Sequence, residues 1–350
     1  MMNRKRAVTY GVLLCLSALA AGACKKERDK APTREPAPTD PTPKPAEPDQ
    51  PDPGQGQGKI KIAFSAPAAD HGWTGAISTN AKRQAAKFAD VEFSLTQAAT
   101  AADQVNQLNT IIAQKPNVLV ILPQDETVTP AALAAMKAGI QVINVDREFA
   151  DPGAQRAVIK GDNYGVGYQA GKYFAKELSC KGNVVEIQGI KGISVTNQRT
   201  KGFADAIKPC GGGIKIVAQQ PADFAPDKGL SVMQAILQAQ PKIDAVYTHD
   251  DDMAQGVVQA IKNAGRDKEM WLTGVGGSKA AMDLIEQGGL YRATFLYNPS
   301  MAASAVTLAR LLARNEGLVD LVEPVIPNLI VMQAQGVFKE NVEKYRKLGF

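Results

Sequence analysis

The sequence predicts an α/β protein built from two doubly wound parallel-sheet domains. Three observations lead there. From Lys59 onward, short apolar runs alternate with amphipathic stretches of helical period, the pattern of parallel strands covered on both faces. The strands number roughly a dozen, too many for one ordinary sheet, so two sheets are expected. The alternation also breaks near Lys160–Asn163, where Gly161-Asp162-Asn163 leads into a second series.

The first series begins with a strand at Lys59–Ser65 and a helix at Gly75–Phe88, whose Ile77, Ala81, Ala85 and Phe88 share a face. It continues with strand Val91–Leu95, helix Asp103–Gln114, strand Val118–Leu122, and helix Pro130–Ala138, which Pro130 opens and Gly139 ends. Strands Gln141–Val145 and Ala157–Lys160 close it. A helix carrying Tyr168, Tyr173, Phe174 and Leu178 opens the second series. Strands follow at Asn183–Gln188, Lys215–Gln219, Ala245–Thr248, Trp271–Val275 and Arg292–Leu296. Helices fall between them at Thr196–Ile207, Asp227–Gln238, Met253–Asn263 and Lys279–Gln287. Helix Ala302–Ala313, strand Leu329–Met332 and a short helix Lys339–Lys347 complete the chain.

The chain has 350 residues, 45% of them hydrophobic, enough to bury the cores of two medium domains. The formal net charge is +5, but much of the excess lies in the first 30 residues, and no basic stripe follows. Nucleic acid is therefore not an expected partner.

Those first residues have the layout of an export signal. Arg4, Lys5 and Arg6 precede an apolar run, Ala7–Leu19, too short to span a bilayer, then Ala20, Ala21, Gly22, Ala23 and Cys24. The arrangement resembles a bacterial lipoprotein signal, which implies acylation of Cys24, although Ala21 stands where leucine is usual. A plain secretory signal is the alternative. An acylated cysteine anchors a protein with no spanning helix. Ala31–Gly58 is rich in proline, then alternates glycine with glutamine, and is expected to be an extended tether. The expected domains are a signal over 1–24, a tether over 25–58, one lobe over 59–162 plus 298–327, and the other over 163–297 plus 328–350. Two cysteines remain, Cys180 and Cys210, each just after a helical segment. In an oxidising compartment they pair as a disulfide, the alternative being two inert thiols.

In parallel sheets the binding crevice lies beyond the carboxyl ends of the strands. The Gln141 strand ends on Asp146 and Arg147, an acceptor-only group beside a fork of donors. By itself this dipeptide is equally a surface ion pair of under about 1 kcal/mol. The other strand-end loops supply His71, Trp73 and Thr74, then Gln124 and Asp125. The second series supplies Ser194, Asn197, Arg199, Asp223, Phe224, the run His249-Asp250-Asp251-Asp252, and Tyr297 with Asn298. Singly each has a structural explanation: Asp70 and Asp252 as helix N-caps, Trp73 and Phe224 as core, His71 as a solvated loop residue. Their joint placement at one end of both sheets instead suits a polar ring with an apolar face.

Other signals fail. Gly165, Gly167 and Gly171 lack the spacing of a nucleotide fingerprint and read as helix packing. Asp250–Asp252 has no metal-ligand partner at suitable spacing. No nucleophile elbow or acid/base pair is evident, so no cofactor, no metal and no enzymatic activity are expected.

The pieces Val145-Asp146-Arg147, Val184-Val185-Glu186-Ile187-Gln188-Gly189, Arg199-Thr-Lys-Gly202-Phe203, Gln220-Pro221-Ala222-Asp223-Phe224 and His249-Asp250-Asp251-Asp252-Met253 together resemble the type I periplasmic sugar-binding proteins of ABC importers, near those for ribose and galactofuranose. The resemblance implies a three-segment hinge, with crossings near Gly161–Asn163, Tyr297–Pro299 and Ile326–Asn328. It implies a monosaccharide or similar polyol held by His71, Trp73, Thr74, Asp146, Arg147, Asn197, Arg199, Phe224, Asp250 and Tyr297. It also implies a monomeric receptor of the cell envelope that serves an ABC permease; the alternative is a ligand-presenting module for a chemoreceptor or sensor kinase. One departure stands out. Gly274-Val275-Gly276-Gly277-Ser278 lies where the family carries an aspartate, and Tyr297 falls at a family glutamine. The ligand's identity stays open on that account.

Overall fold

Continuous β-branched runs flanked by amphipathic helices bury the inner strands on both faces and leave the edge strands partly exposed, and the computed structural model, which describes residues 58–69, 71–317 and 326–350, realises that pattern twice. The signal, Cys24, the tether and Asp70 lie outside the described residues.

The first lobe comprises β1 (Ile60–Pro67), α1 (Gly72–Ala85), β2 (Val91–Ala98), α2 (Ala101–Ala113), β3 (Val118–Ile121), α3 (Thr129–Lys137), β4 (Gln141–Val145) and β5 (Ala157–Gly161). The second comprises α4 (Asn163–Glu177), β6 (Gly182–Gln188), α5 (Ser194–Ile207), β7 (Ile214–Pro221), α6 (Pro226–Ala239), β8 (Ala245–Thr248), α7 (Asp251–Asn263), β9 (Trp271–Gly276), α8 (Lys279–Gln287) and β10 (Tyr291–Leu296). The chain then returns through α9 (Met301–Ala313), which packs on α1, β3 and β4 of the first lobe. β11 (Leu329–Met332), β12 (Gly336–Phe338) and α10 (Val342–Tyr345) follow.

Both sheets have six strands, ordered β11-β5-β4-β3-β1-β2 and β12-β10-β9-β8-β6-β7. Every neighbouring pair is parallel except β10 and β12. In β3 all four residues, Val118–Ile121, are buried, each contributing roughly 1.5–3 kcal/mol of transfer free energy.

Two expectations are corrected at the C-terminal end. The sequence predicts residues 328–350 in the second lobe, but Leu329–Met332 pairs with β5 in the first sheet. The third crossing therefore follows Met332 and leads to β12, a strand the sequence did not suggest. The last helix shrinks to Val342–Tyr345 plus one 3-10 turn, Arg346–Leu348. The other crossings join β5 to α4 and β10 to α9. Cys180 and Cys210 are joined as a disulfide that ties the end of α4 to the turn after α5.

Candidate functional site

The carboxyl ends of both sheets meet around a small cavity with room for about one water molecule. Eight of the ten sequence-predicted residues line it: His71, Trp73, Asp146, Arg147, Arg199, Phe224, Asp250 and Tyr297.

On the first-lobe side, His71 is the N-cap of α1, with extended backbone. Thr74 is buried but does not line the cavity. Its hydroxyl donates to the His71 carbonyl (3.0 Å) and accepts from the His71 amide (3.4 Å), so it fixes the loop that presents the imidazole. Trp73 points its indole N–H at the Tyr297 carbonyl, 2.8 Å away. Asp146 stands just beyond β4 at φ 68°, a left-handed conformation that aspartate tolerates better than most side chains. Burial pushes its carboxyl above the usual range, against the pull of Arg147 and the hydrogen bond from Tyr297. Arg147 donates to the carbonyls of Pro123 (3.3 Å) and Gln124 (2.8 Å), which aims its guanidinium along the cavity wall.

On the second-lobe side, Arg199 projects from α5. Its Nε donates to Asn163 Oδ1 at 3.0 Å and its Nη1 to the His249 carbonyl. Its guanidinium carbon lies 4.5 Å from the Tyr297 ring centroid. Phe224 is turned inward by two consecutive left-handed residues, Asp223 (φ 52°) and Phe224 (φ 64°), a strained turn of the kind that gathers at ligand sites. Asp250 caps α7, its Oδ1 accepting from the amides of Asp252 (2.8 Å) and Met253 (2.9 Å). Burial, with help from the Asp252 charge, lifts the Asp250 pKa to about 7 despite the opposing pull of His71.

A buried pair underlies this wall. His249 Nε2 lies 2.9 Å from Glu186 Oε1, and Thr200 and Gln219 also donate to Glu186. Burial pushes the His249 pKa down, so the ring is neutral. Burial alone raises the Glu186 pKa, but its donors outweigh that and hold it low. The neutral ring spares Arg199 a second buried cation beside it.

Three expectations need correction. Asn197 is exposed and donates to the Gly192 carbonyl (3.0 Å), outside the cavity. Asp252 is not the N-cap of its helix, since Asp250 holds that place, and its Oδ2 instead accepts from the Gly72 amide of the other lobe at 2.8 Å. Thr74 supports His71 rather than facing the cavity. Val195, Val275 and Asn163 were not anticipated. Val195 and Val275 line the cavity, and Asn163 Nδ2 donates to the Tyr297 hydroxyl at 2.9 Å.

The Gly276 departure has a physical basis. Asp251 is buried and accepts from the Gly277 and Ser278 amides and from the Tyr291 and Thr294 hydroxyls, at 2.7–2.8 Å. A Cβ at Gly276, already strained at φ 138°, would stand 3.3 Å from Asp251 Oδ2. Backbone, not a carboxylate, therefore forms this wall.

Comparison with known proteins fits this geometry. The periplasmic binding protein domain model matches residues 62–317. The chain belongs to that family. The ribose import binding protein of Bacillus subtilis is 32% identical over 207 residues, which cover 59% of this chain and 66% of that one, just under two thirds. The solved structure of a galactofuranose binding protein superposes with a TM-score of 0.75 at 28% identity, covering 83% of this chain and 100% of the other. The fructose binding periplasmic domain of a hybrid two component system also matches with a TM-score of 0.75 at 28% identity, covering 82% and 93%. In this family two lobes of one fold flank a cleft, and the polar and aromatic residues described above sit on both sides of it.

Proposed function

We propose that this chain is an extracytoplasmic receptor that encloses a monosaccharide or similar polyol between its lobes and delivers it to an ABC permease. The single observation carrying this is that carboxylates, guanidinium groups and aromatic rings from both lobes converge on one small cavity. Carboxylates accept from sugar hydroxyls, arginines donate to them, and Trp73 and Phe224 supply faces for an apolar C–H surface. The relatives named for ribose and galactofuranose support a sugar as ligand, and Cys24 supplies a lipid anchor. The family and the relatives it matches are named as binding proteins, which supports reading the chain as a binder.

Ligand contacts to both lobes exist only when the lobes are together, so ligand shifts the population toward closure, and the closed surface is what a permease reads. The fructose binding sensor domain favours a second reading, in which the same closure signals to a kinase.

Thermal shift against pentoses, hexoses and polyols tests the proposal. A ligand at about 100 times its Kd adds roughly 2.7 kcal/mol, which moves the Tm of a protein this size by several degrees. A panel in which no sugar or polyol moves the Tm contradicts a sugar receptor. Permease and ATPase genes beside this one, rather than a lone sensor gene, separate import from signalling.

A further inference from the structure

Four buried side chains form one hydrogen-bond chain through the hinge. Arg199 Nε donates to Asn163 Oδ1 (3.0 Å), Asn163 Nδ2 donates to the Tyr297 hydroxyl (2.9 Å), and that hydroxyl donates to Asp146 Oδ1. The ends of the chain line the cavity from opposite lobes, Asp146 beyond β4 and Arg199 on α5. The two middle members stand on the crossings themselves: Asn163 opens α4 after β5, and Tyr297 follows β10. The crossings also meet there, since a Cβ at Gly161 would fall 2.1 Å from Tyr297 Cε2. Direction in this chain is forced. A guanidinium only donates and a carboxylate only accepts. The single tyrosine proton goes to Asp146, so toward Asn163 the hydroxyl can only accept. Asn163 must therefore donate on one side and accept from Arg199 on the other. A carboxamide meets both demands, whereas aspartate lacks the donor and leucine, of the same branched shape, lacks both. Asn163 is itself held in place, because Asp162 caps α4 through the Gly165 amide at 2.7 Å.

We propose that Asn163 is a positioning residue for the ligand: without lining the cavity, it sets the direction of this chain and so aims Arg199 and Asp146, from opposite lobes, at the same small molecule. The proposal rests on the sugar-receptor reading of those two residues. With Nε on Asn163 and Nη1 on the His249 carbonyl, the guanidinium plane is fixed. The Tyr297 hydroxyl pins the carboxylate through Oδ1. Two ligand-binding groups are thus oriented in advance, which lowers the ordering cost of binding.

Calorimetric titration of the full chain with ribose, arabinose, galactose, fructose and myo-inositol identifies the one that binds most tightly, and variants are titrated with it. Asn163→Leu breaks both links and is expected to weaken binding about tenfold or more. Asn163→Asp keeps the acceptor for Arg199, loses only the donor to Tyr297, and is expected to weaken binding about fivefold. In a Tyr297→Phe background no hydroxyl awaits that donor. There Asn163→Asp is expected to cost less than about twofold, while Asn163→Leu still costs about fivefold or more. A residue that only fills space costs the same in both backgrounds. Equal cost of Asn163→Asp in the two backgrounds, or wild-type binding by Asn163→Leu, overturns the positioning role while leaving a sugar receptor standing. The aspartate comparison decides even where Asn163→Leu does not fold. Failure of every one of these ligands to bind the wild type overturns both.

Discussion

As a carboxylate Asp146 accepts through both oxygens, and Asp146→Asn replaces one acceptor oxygen with an NH2 donor and removes the charge while keeping the shape. Sugar affinity is expected to fall at least tenfold, about 1.4 kcal/mol, with little change in Tm, as calorimetry and melting curves will report. Asp250 gives a pH test. Its folded pKa of about 7 is raised, so the folded protein holds a proton that the unfolded chain, near 3.8, has released. Stability from this group is therefore present at low pH and declines as pH rises from about 4 to 7, by up to about 1.4 kcal/mol per unit. The difference between wild type and Asp250→Asn in urea unfolding should show this slope, and a flat difference would contradict it. Most site residues were legible because strand ends in parallel sheets face one crevice. Asn197 misled because it lies two positions from Arg199, and such residues point to different faces of a helix. Val195, four positions from Arg199, shares its face and was open to the same argument.

The glycines of α4 and α5 let two helices meet closely. A Cβ at Gly167 would fall 2.0 Å from the Arg199 carbonyl oxygen, and one at Gly202 2.1 Å from that of Tyr164. Gly167→Ala should therefore force the helices apart, costing roughly 1–3 kcal/mol and weakening binding through Arg199. Denaturant unfolding and titration of the same sample check both effects. The disulfide acts on the same pair of helices. With its cysteines 30 positions apart in sequence, its loss should cost roughly 3–4 kcal/mol while leaving sugar affinity unchanged, which reducing agent or Cys180→Ser with Cys210→Ser tests. Gly167 and Gly171 serve helix packing, as their place in the sequence suggested, whereas Gly165 makes room for the Asp162 side chain that caps α4. The lobe to which Leu329–Met332 belongs was not, because a four-residue apolar strand fits either sheet and only pairing decides. β12 is three residues long, too short to carry a period.

Across the molecule, the lobes touch at two rims of the cleft. Asp252 accepts from the Gly72 amide on one side. On the other, the Glu148 amide donates to Ser194 Oγ at 3.2 Å and Gln198 Nε2 donates to Glu148 Oε2 at 2.7 Å. Each such bond contributes about 0.5–1.5 kcal/mol to the closed form. Asp252→Ala should therefore weaken affinity several-fold and enlarge the radius of gyration measured by small-angle scattering without ligand. The two-lobe plan was evident from strand count and the break near Lys160, whereas the rim contacts depend on how two distant loops meet, which no local pattern reports. The most direct measurement is a crystal structure with the sugar that raises the Tm most. The account predicts that sugar between the lobes, within hydrogen-bond distance of Asp146 and Arg199 and against Trp73 or Phe224. Density for it on an outer surface, with the cavity closed on itself, would contradict the account.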